Sequence, residues 1–276
     1  MSAMLEVENL RVTFPTARGP VDVVKGLYFS LGSERLGIVG ESGSGKSMTG
    51  RSILRLVRPP GKVTAQRLRF DDQDLLGLSE RQMRDIRGKR ISMVMQDPKF
   101  SLNPVITIGA QIAEALQVHE KLPRADIHKR MLAMLEAVRI NDPERVLKLY
   151  PHEVSGGMGQ RIMIAMMLIP QPKLLIADEP TSALDVSVQA QVLDIIDELV
   201  RKNGMGLILI SHDLNLVSAY CDRILVMRGG EVVEECKASE LAAAKHPYTR
   251  GLLAAMPRLD ETRDWLPVLQ RDGAST

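Results

Sequence analysis

The run Gly40-Glu41-Ser42-Gly43-Ser44-Gly45-Lys46-Ser47 fits the pattern G-x-x-x-x-G-K-[ST] in full. That spacing suits one task, the cradling of a chain of phosphates. Glycines let the backbone close around anionic oxygens with its N–H groups turned inward. A helix that begins near Gly45 aims the positive end of its dipole at the same oxygens. Lys46 then reaches the β- and γ-phosphates, and Ser47 offers its hydroxyl to Mg²⁺. A second group of residues matches the first. The apolar run Leu174 to Ala177 ends in Asp178-Glu179, and acids at the C-terminal end of a parallel strand lie at the rim where such sheets bind ligands. Asp178 can hold Mg²⁺ through its waters. Glu179 can orient or deprotonate an attacking water. Taken alone, the two acids could equally cap the turn at Pro180; beside a phosphate loop the chemical reading is the stronger one.

Two further sites stand after apolar runs or before them. Ser155-Gly156-Gly157-Met158-Gly159-Gln160 precedes the apolar stretch Ile162 to Ile169. Its serine suits a helix N-cap, and its N–H groups a second anion site, although a Gly-rich helix start accounts for it as well. Ser211-His212-Asp213 follows Leu207 to Ile210, and a lone histidine is more often structural than catalytic. Gln96, after Ile91 to Met95, says nothing by itself.

The elements that must position these residues are legible as period. Leu5, Val7 and Leu10 against Glu6, Glu8 and Arg11 read as a half-buried strand. Leu36 to Val39 is a short buried strand, Met48 to Val57 a helix, Leu68 to Asp71 a strand and Ser79 to Arg90 a basic helix. Between Thr107 and Leu149 the period is helical throughout, with Pro123 and Pro143 where helices would start. Strand–helix alternation then returns, and Arg228-Gly229-Gly230-Glu231 reads as a hairpin turn. The whole is an α/β protein with a helical insertion. The methionines Met163, Met166 and Met167 read as core, and Arg81, Arg84, Arg87, Lys89 and Arg90 as a solvated face.

Composition narrows the classes. Of 276 residues, 45% are hydrophobic and 25% charged, the balance of a soluble globular protein. With 36 Lys and Arg against 34 Asp and Glu, no broad basic field exists to hold nucleic acid. The two cysteines, Cys221 and Cys236, make neither a disulfide framework nor a four-thiolate metal site. No basic segment followed by an apolar one opens the sequence, and no apolar run reaches the roughly 18 residues of a membrane span.

In this order the motifs resemble the ATP-binding subunits of ABC transporters, from residue 4 to about residue 256. The resemblance implies a RecA-like P-loop NTPase core with an antiparallel β subdomain and an inserted α-helical subdomain. Residues 1–236 would form the ATPase domain, with its core in 1–96 and 161–236 and its helical subdomain in 97–160. Residues 237–276 would be a C-terminal extension. The implied ligands are ATP and Mg²⁺. Lys46 and Glu179 would serve hydrolysis, and Gln96 would sense Mg²⁺ and the membrane partner. His212 would contact the γ-phosphate. Ser155 to Gln160 would form the family signature, with Ser155, Gly156 and Gly157 at the nucleotide, and Ser182-Ala183-Leu184-Asp185 the D-loop. Phe14 falls where the family stacks an aromatic on adenine, with strand packing as the alternative. Two departures are visible: Val154 takes the place of the leucine that usually opens the signature, and Gly159 stands where relatives often carry a larger polar or basic residue. Ser155, Gly156 and Gly157 are intact.

In the family the phosphate loop and the signature of one chain face away from each other, so the resemblance implies a dimer, each ATP clamped between the loop of one subunit and the signature of the other. The expected partners are a second ATPase subunit, a paralogue in a heterodimer, two membrane permeases and, indirectly, a substrate-binding protein. The expected place is the cytoplasmic face of the inner membrane, and nucleic acid is not an expected partner. His246-Pro247-Tyr248-Thr249, Gly251-Leu252-Leu253 and the run from Asp97-Pro98 to Asn103-Pro104 resemble importers of dipeptides, oligopeptides, opines and nickel. Peptides are the expected cargo. Nickel or opines are the alternative, since Arg145 to Pro151 also resembles nickel importers. No cysteine follows Cys236, so the iron–sulfur cluster of some relatives is not expected. A nucleic-acid ATPase of the same family would carry a long coiled coil or two cassettes, and a non-hydrolysing module would not keep Glu179 and His212.

Overall fold

The N-terminal alternation produces an antiparallel hairpin of β1 (Leu5–Thr16) and β2 (Gly19–Leu31). The structure, a computed structural model, describes residues 3–95, 102–182 and 184–255. Leu5, Val7, Leu10 and Val12 are buried. The period slips by one residue where Asn9 adopts a φ of 50° and the register with β2 shifts, as a β-bulge requires. Next come β3 (Arg35–Val39) and α1 (Lys46–Ile53). The helix ends earlier than Val57 because Arg55 turns to a φ of 52°. The strands β4 (Lys62–Thr64), β5 (Arg67–Phe70) and β6 (Gln73–Asp74) complete the antiparallel sheet, in the order β2-β1-β5-β6 with β4 also on β1. α2 (Glu80–Ile86) opens on a reciprocal Ser79–Gln82 cap. It stops short of Arg90 because Arg87 turns to extended backbone and Gly88 then takes a φ of 80°. β7 (Ile91–Val94) follows.

The helical insertion contains α3 (Ile108–Gln117), α4 (Arg124–Ala137) and α5 (Pro143–Val146). α4 and α5 begin beside Pro123 and at Pro143, as expected from proline's fixed φ. Next, α6 (Gly156–Leu168) runs unbroken across residue 160, where the sequence reading divided insertion from core. The remaining elements are β8 (Leu174–Asp178), α7 (Val186–Lys202), β9 (Gly206–Ser211), α8 (Leu214–Tyr220), β10 (Arg223–Arg228), β11 (Glu231–Lys237) and α9 (Pro247–Ala255).

The second sheet has the order β11-β10-β3-β9-β8-β7. All its neighbours pair in parallel except the edge strand β11. Its inner strands are buried on both faces, hence their unbroken apolar runs. Alternate residues sort between two cores. Leu36, Ile38, Ile176, Ile208, Ile210 and Leu225 face the antiparallel sheet and α1. Val39, Leu175, Ala177, Leu207, Leu209 and Val226 face the helices, with Met163 and, at the margin, Met166 and Met167. At Gly37 a β-carbon would lie 1.9 Å from Val217 Cγ1, so only glycine lets α8 press this closely on β3. Among the described residues no helix is long and apolar enough to cross a membrane.

Candidate active site

Parallel register gathers the chemistry on one rim. Val39 at the end of β3 lies opposite Ser211, and Asp178 at the end of β8 lies opposite Ile210. The phosphate loop, the paired acids and His212 therefore leave neighbouring strands at the same edge.

The loop is seated between strands. Gly40, at φ 152°, would place a β-carbon 2.1 Å from Met227 O, and Gly45, at φ 99°, one 2.5 Å from Val23 O. Both glycines are needed by conformation and by contact. The Gly230 N–H donates to Ser44 O at 3.1 Å, and the Ser44 N–H to Glu41 O at 3.2 Å. Gly45 caps α1 without a side-chain bond, and no acid sits in the first turn, so the helix's positive end is not offset locally. Glu41, Ser42 and Gly43 are exposed. The Ser44 hydroxyl is buried and has no hydrogen-bond partner among the described residues.

Lys46 is 5% exposed. Its Nζ donates to Gly40 O and Glu41 O, each at 2.8 Å. Burial pulls its pKa below the ordinary lysine value, and the carboxylates of Glu179, Asp178 and Glu41 oppose that. The Ser47 hydroxyl donates to Asp178 Oδ1 at 2.7 Å. Asp178 is 3% exposed. Burial pushes its carboxyl up; the Ser47 bond, Arg51 and Lys46 work against the shift, while Glu179 adds to it. Glu179 holds a φ of 48°, its N–H donating to Ile210 O at 2.9 Å. That strained backbone turns its carboxylate toward His212, with Nδ1 3.4 Å from Oε1.

The donor set fits a Mg²⁺–nucleotide phosphate group: a hydroxyl against a carboxylate, a lysine beside a glycine loop, and a buried hydroxyl with bonding capacity left over.

The other expected residues sit as follows. Ser155 is exposed and caps α6, accepting from the Met158 N–H at 3.3 Å, with Gly156 exposed and Gly157 half-buried. Asp185 caps α7, accepting from the Val188 N–H at 3.1 Å and the Ser187 hydroxyl at 2.7 Å. The Ser187 bond, then the Val188 N–H, hold its pKa low. The half-buried Phe14 packs its ring where a β-carbon on Gly61 would come within 2.7 Å. Gln96 and Ala183 lie outside the described residues, as does the stretch from Asp97 to Ser101.

Sequence reasoning gave no task to Gln160 within the signature or to Gln189. Gln160 is 1% exposed, and its amide donates to Pro180 O. Gln189 donates to Thr181 O at 3.0 Å and Leu184 O at 3.1 Å. Together they fix the turn after Asp178-Glu179. The signal for Gln160 was present: a glutamine in an apolar helix must find a partner when buried.

A profile of the ABC transporter family matches residues 25–182, more than half of the chain. The chain belongs to the ABC transporter family. Among the family's curated relatives, it is 49% identical over 263 residues to the dipeptide transport ATP-binding protein DppD of Bacillus subtilis, spanning 94% of this chain and 78% of that one. The oligopeptide transport ATP-binding protein OppD of Salmonella typhimurium is 46% identical over 261 residues, again 94% and 78%. The dimeric structure of MJ0796, a bacterial ABC transporter cassette, superposes with a TM-score of 0.76 at 26% identity, covering 85% of this chain and 99% of that one. The expected fold is thereby shown: a RecA-like core, an antiparallel β subdomain and an inserted helical subdomain. As a member of the family, the chain is an ATPase.

Proposed function

We propose that this chain is the ATP-hydrolysing motor of an importer for dipeptides or oligopeptides. The observation that carries the motor reading is the 2.7 Å bond between Ser47 and Asp178, which joins the phosphate loop to the acidic strand end. Its relatives named for dipeptide and oligopeptide transport support the cargo. Lys46 would leave its loop carbonyls for the β- and γ-phosphate oxygens, and the free hydroxyl of Ser44 would donate to the same anion. Ser47 and Asp178 would hold Mg²⁺, with Gln96 as a further ligand. Bound there, Mg²⁺ supplies charge neutralisation and orientation of the phosphates. Glu179 orients and deprotonates the attacking water, with His212 positioned by its contact with Glu179. Phe14 is the candidate base-stacking residue.

The signature N–H groups of Ser155, Gly156 and Gly157, with Asp185, would serve the ATP held by a second subunit. That subunit is proposed to be a paralogue, and the pair to work beneath two membrane permeases fed by a binding protein, at the cytoplasmic membrane face. Two thiols in the sequence cannot supply the four thiolates of an iron–sulfur cluster, so none is proposed on this chain.

The test uses Lys46→Ala in the assembled transporter. Losing the phosphate-directed charge lowers hydrolysis by about 10²–10³-fold; retained turnover and ATP affinity would refute the loop assignment. Uptake of labelled dipeptide, opine and nickel by the same complex decides the cargo. Nickel or opine uptake without peptide uptake would replace the peptide reading.

A further inference from the structure

The C-terminal segment reaches the phosphate loop. Tyr248, at the start of α9, is 6% exposed. Its hydroxyl accepts a hydrogen bond from the Glu41 N–H at 3.0 Å, across 207 residues of sequence. The Arg228 guanidinium lies 5.1 Å from the centre of its ring, at the distance of a cation–π contact. The backbone around Tyr248 is tied down as well. The N–H groups of Lys245 and His246 donate to the Glu234 carboxylate at 2.6 and 3.3 Å. The Tyr248 N–H donates to His246 Nδ1 at 3.2 Å. Thr249 is fully buried, and Leu252 and Leu253 lean on the helical-side core.

Glu41 is the pivot. Its N–H is held by Tyr248, while its carbonyl accepts from Lys46 Nζ at 2.8 Å and from the Ser44 N–H at 3.2 Å. One peptide backbone therefore separates the tyrosine of the extension from the lysine of the phosphate loop. Glu41, Ser42 and Gly43 are exposed, so this end of the loop has little packing of its own to fix it.

We propose that Tyr248 is a positioning residue for nucleotide binding, presetting the Glu41 backbone and through it the loop that takes the phosphates. The proposal rests on the ATPase reading of that loop. A loop already in its bound shape spares the ordering that binding would otherwise require. Removing the hydroxyl frees the Glu41 end, weakens binding and leaves the chemistry at Glu179 alone.

Tyr248→Phe in the full chain removes only the hydroxyl and keeps the ring beside Arg228. The Kd for MgATP, by fluorescence titration, and the KM for hydrolysis are expected to rise about three- to tenfold, the effect of one hydrogen bond, with kcat nearly unchanged. Amide exchange in the peptide containing Glu41 to Ser47 should quicken in the nucleotide-free variant. Tyr220→Phe removes a hydroxyl of the same kind, bonded to Asp194 at 2.8 Å, and should leave both constants unmoved. A wild-type Kd and KM in Tyr248→Phe would overturn the proposal. So would a lowered melting temperature with unmoved Kd, which is what a packing residue gives, or a fall in kcat alone. If the wild-type chain itself fails to bind MgATP, the phosphate-loop reading falls first and takes the proposal with it.

Discussion

Asp178→Asn separates the cost of holding a buried carboxylate from the use made of it. Asp178 is 3% exposed, and the one described hydrogen bond to its carboxylate comes from Ser47 at 2.7 Å. Burial is the largest influence on its pKa and raises it, and the neighbouring Glu179 adds to the rise. Asparagine keeps the shape and an oxygen for Ser47 while removing the charge. Leaving a buried polar group short of hydrogen bonds costs about 1–3 kcal/mol, of which the attraction of Arg51 and Lys46 returns a part. For a domain of this size each kcal/mol moves the melting temperature by roughly 2–4 °C. The nucleotide-free variant should therefore melt a few degrees higher at neutral pH. Its pH dependence follows by linkage. The folded pKa lies above the unfolded value of 3.8, so the native state holds the extra proton between the two. Stability of the wild type falls as pH rises through that window, and the full penalty stands above it. The variant lacks this penalty, so its advantage should grow with pH across the window and then level off. Adding Mg²⁺ and ATP should reverse the order, stabilising the wild type more. Thermal denaturation by circular dichroism, with and without MgATP, reads all of this. A nucleotide-free variant that melts lower than wild type, or gains from MgATP as wild type does, would refute the reasoning.

Glu179→Gln removes the base but keeps its size; hydrolysis should fall about 10²–10⁴-fold while MgATP still binds, and turnover near wild type would dismiss Glu179 from the role. Gln160→Leu leaves the Pro180 carbonyl without the amide that reaches it. The expected loss is about 1–3 kcal/mol of stability, with hydrolysis falling more than ATP binding; an unchanged melting curve would remove Gln160 as the tie. Asp222 accepts from the Arg35 N–H at 2.9 Å and from its side chain, and that pairing lowers its pKa. Its side chain is 45% exposed, so solvent screening keeps the expected loss in Asp222→Asn to about 0.5–1 kcal/mol. That stability is present above the ordinary carboxylate value and vanishes as pH falls through the lowered one, so the two melting curves should converge in acid; a constant difference would mean that charge is not its source.

The strands β3, β8 and β9 and the two acids were legible because each is a short local pattern: an apolar run, then a polar break at the rim. The phosphate loop was legible for the same reason, since its geometry demands glycine at fixed offsets. The ends of α1 and α2 were not. Arg55 in a left-handed conformation and Arg87 in an extended one, followed by left-handed Gly88, stop those helices, and nothing in the apolar period of either segment marks the stop. The division of insertion from core at residue 160 follows the end of the signature motif, a point that α6 crosses under its Ser155 cap. Gln160 showed only as a glutamine in an apolar helix, and which backbone group it or Tyr248 meets, the Pro180 carbonyl or the Glu41 N–H, leaves no trace in a single sequence. Asp185 and Ser155 were expected at nucleotide; the structure adds that each caps its own helix, a role that favours the same residue types.

Four strained or costly features meet at the rim that carries the phosphate loop. Glu179 has a left-handed backbone, Lys46 and Asp178 are ionisable groups buried deeply enough to shift their pKa values against their charged forms, and the buried Ser44 hydroxyl has no partner among the described residues. At the other end of β3, Arg35 is satisfied by Asp197 and Asp222 together, and its charged form is held more firmly than an ordinary arginine's. A chain selected for stability alone would favour the second arrangement throughout. The contrast between the two ends of one strand argues that the loop end is kept unfavourable for a ligand's sake: an anion would use the bonding capacity of Ser44 and Lys46, and a cation that of Asp178.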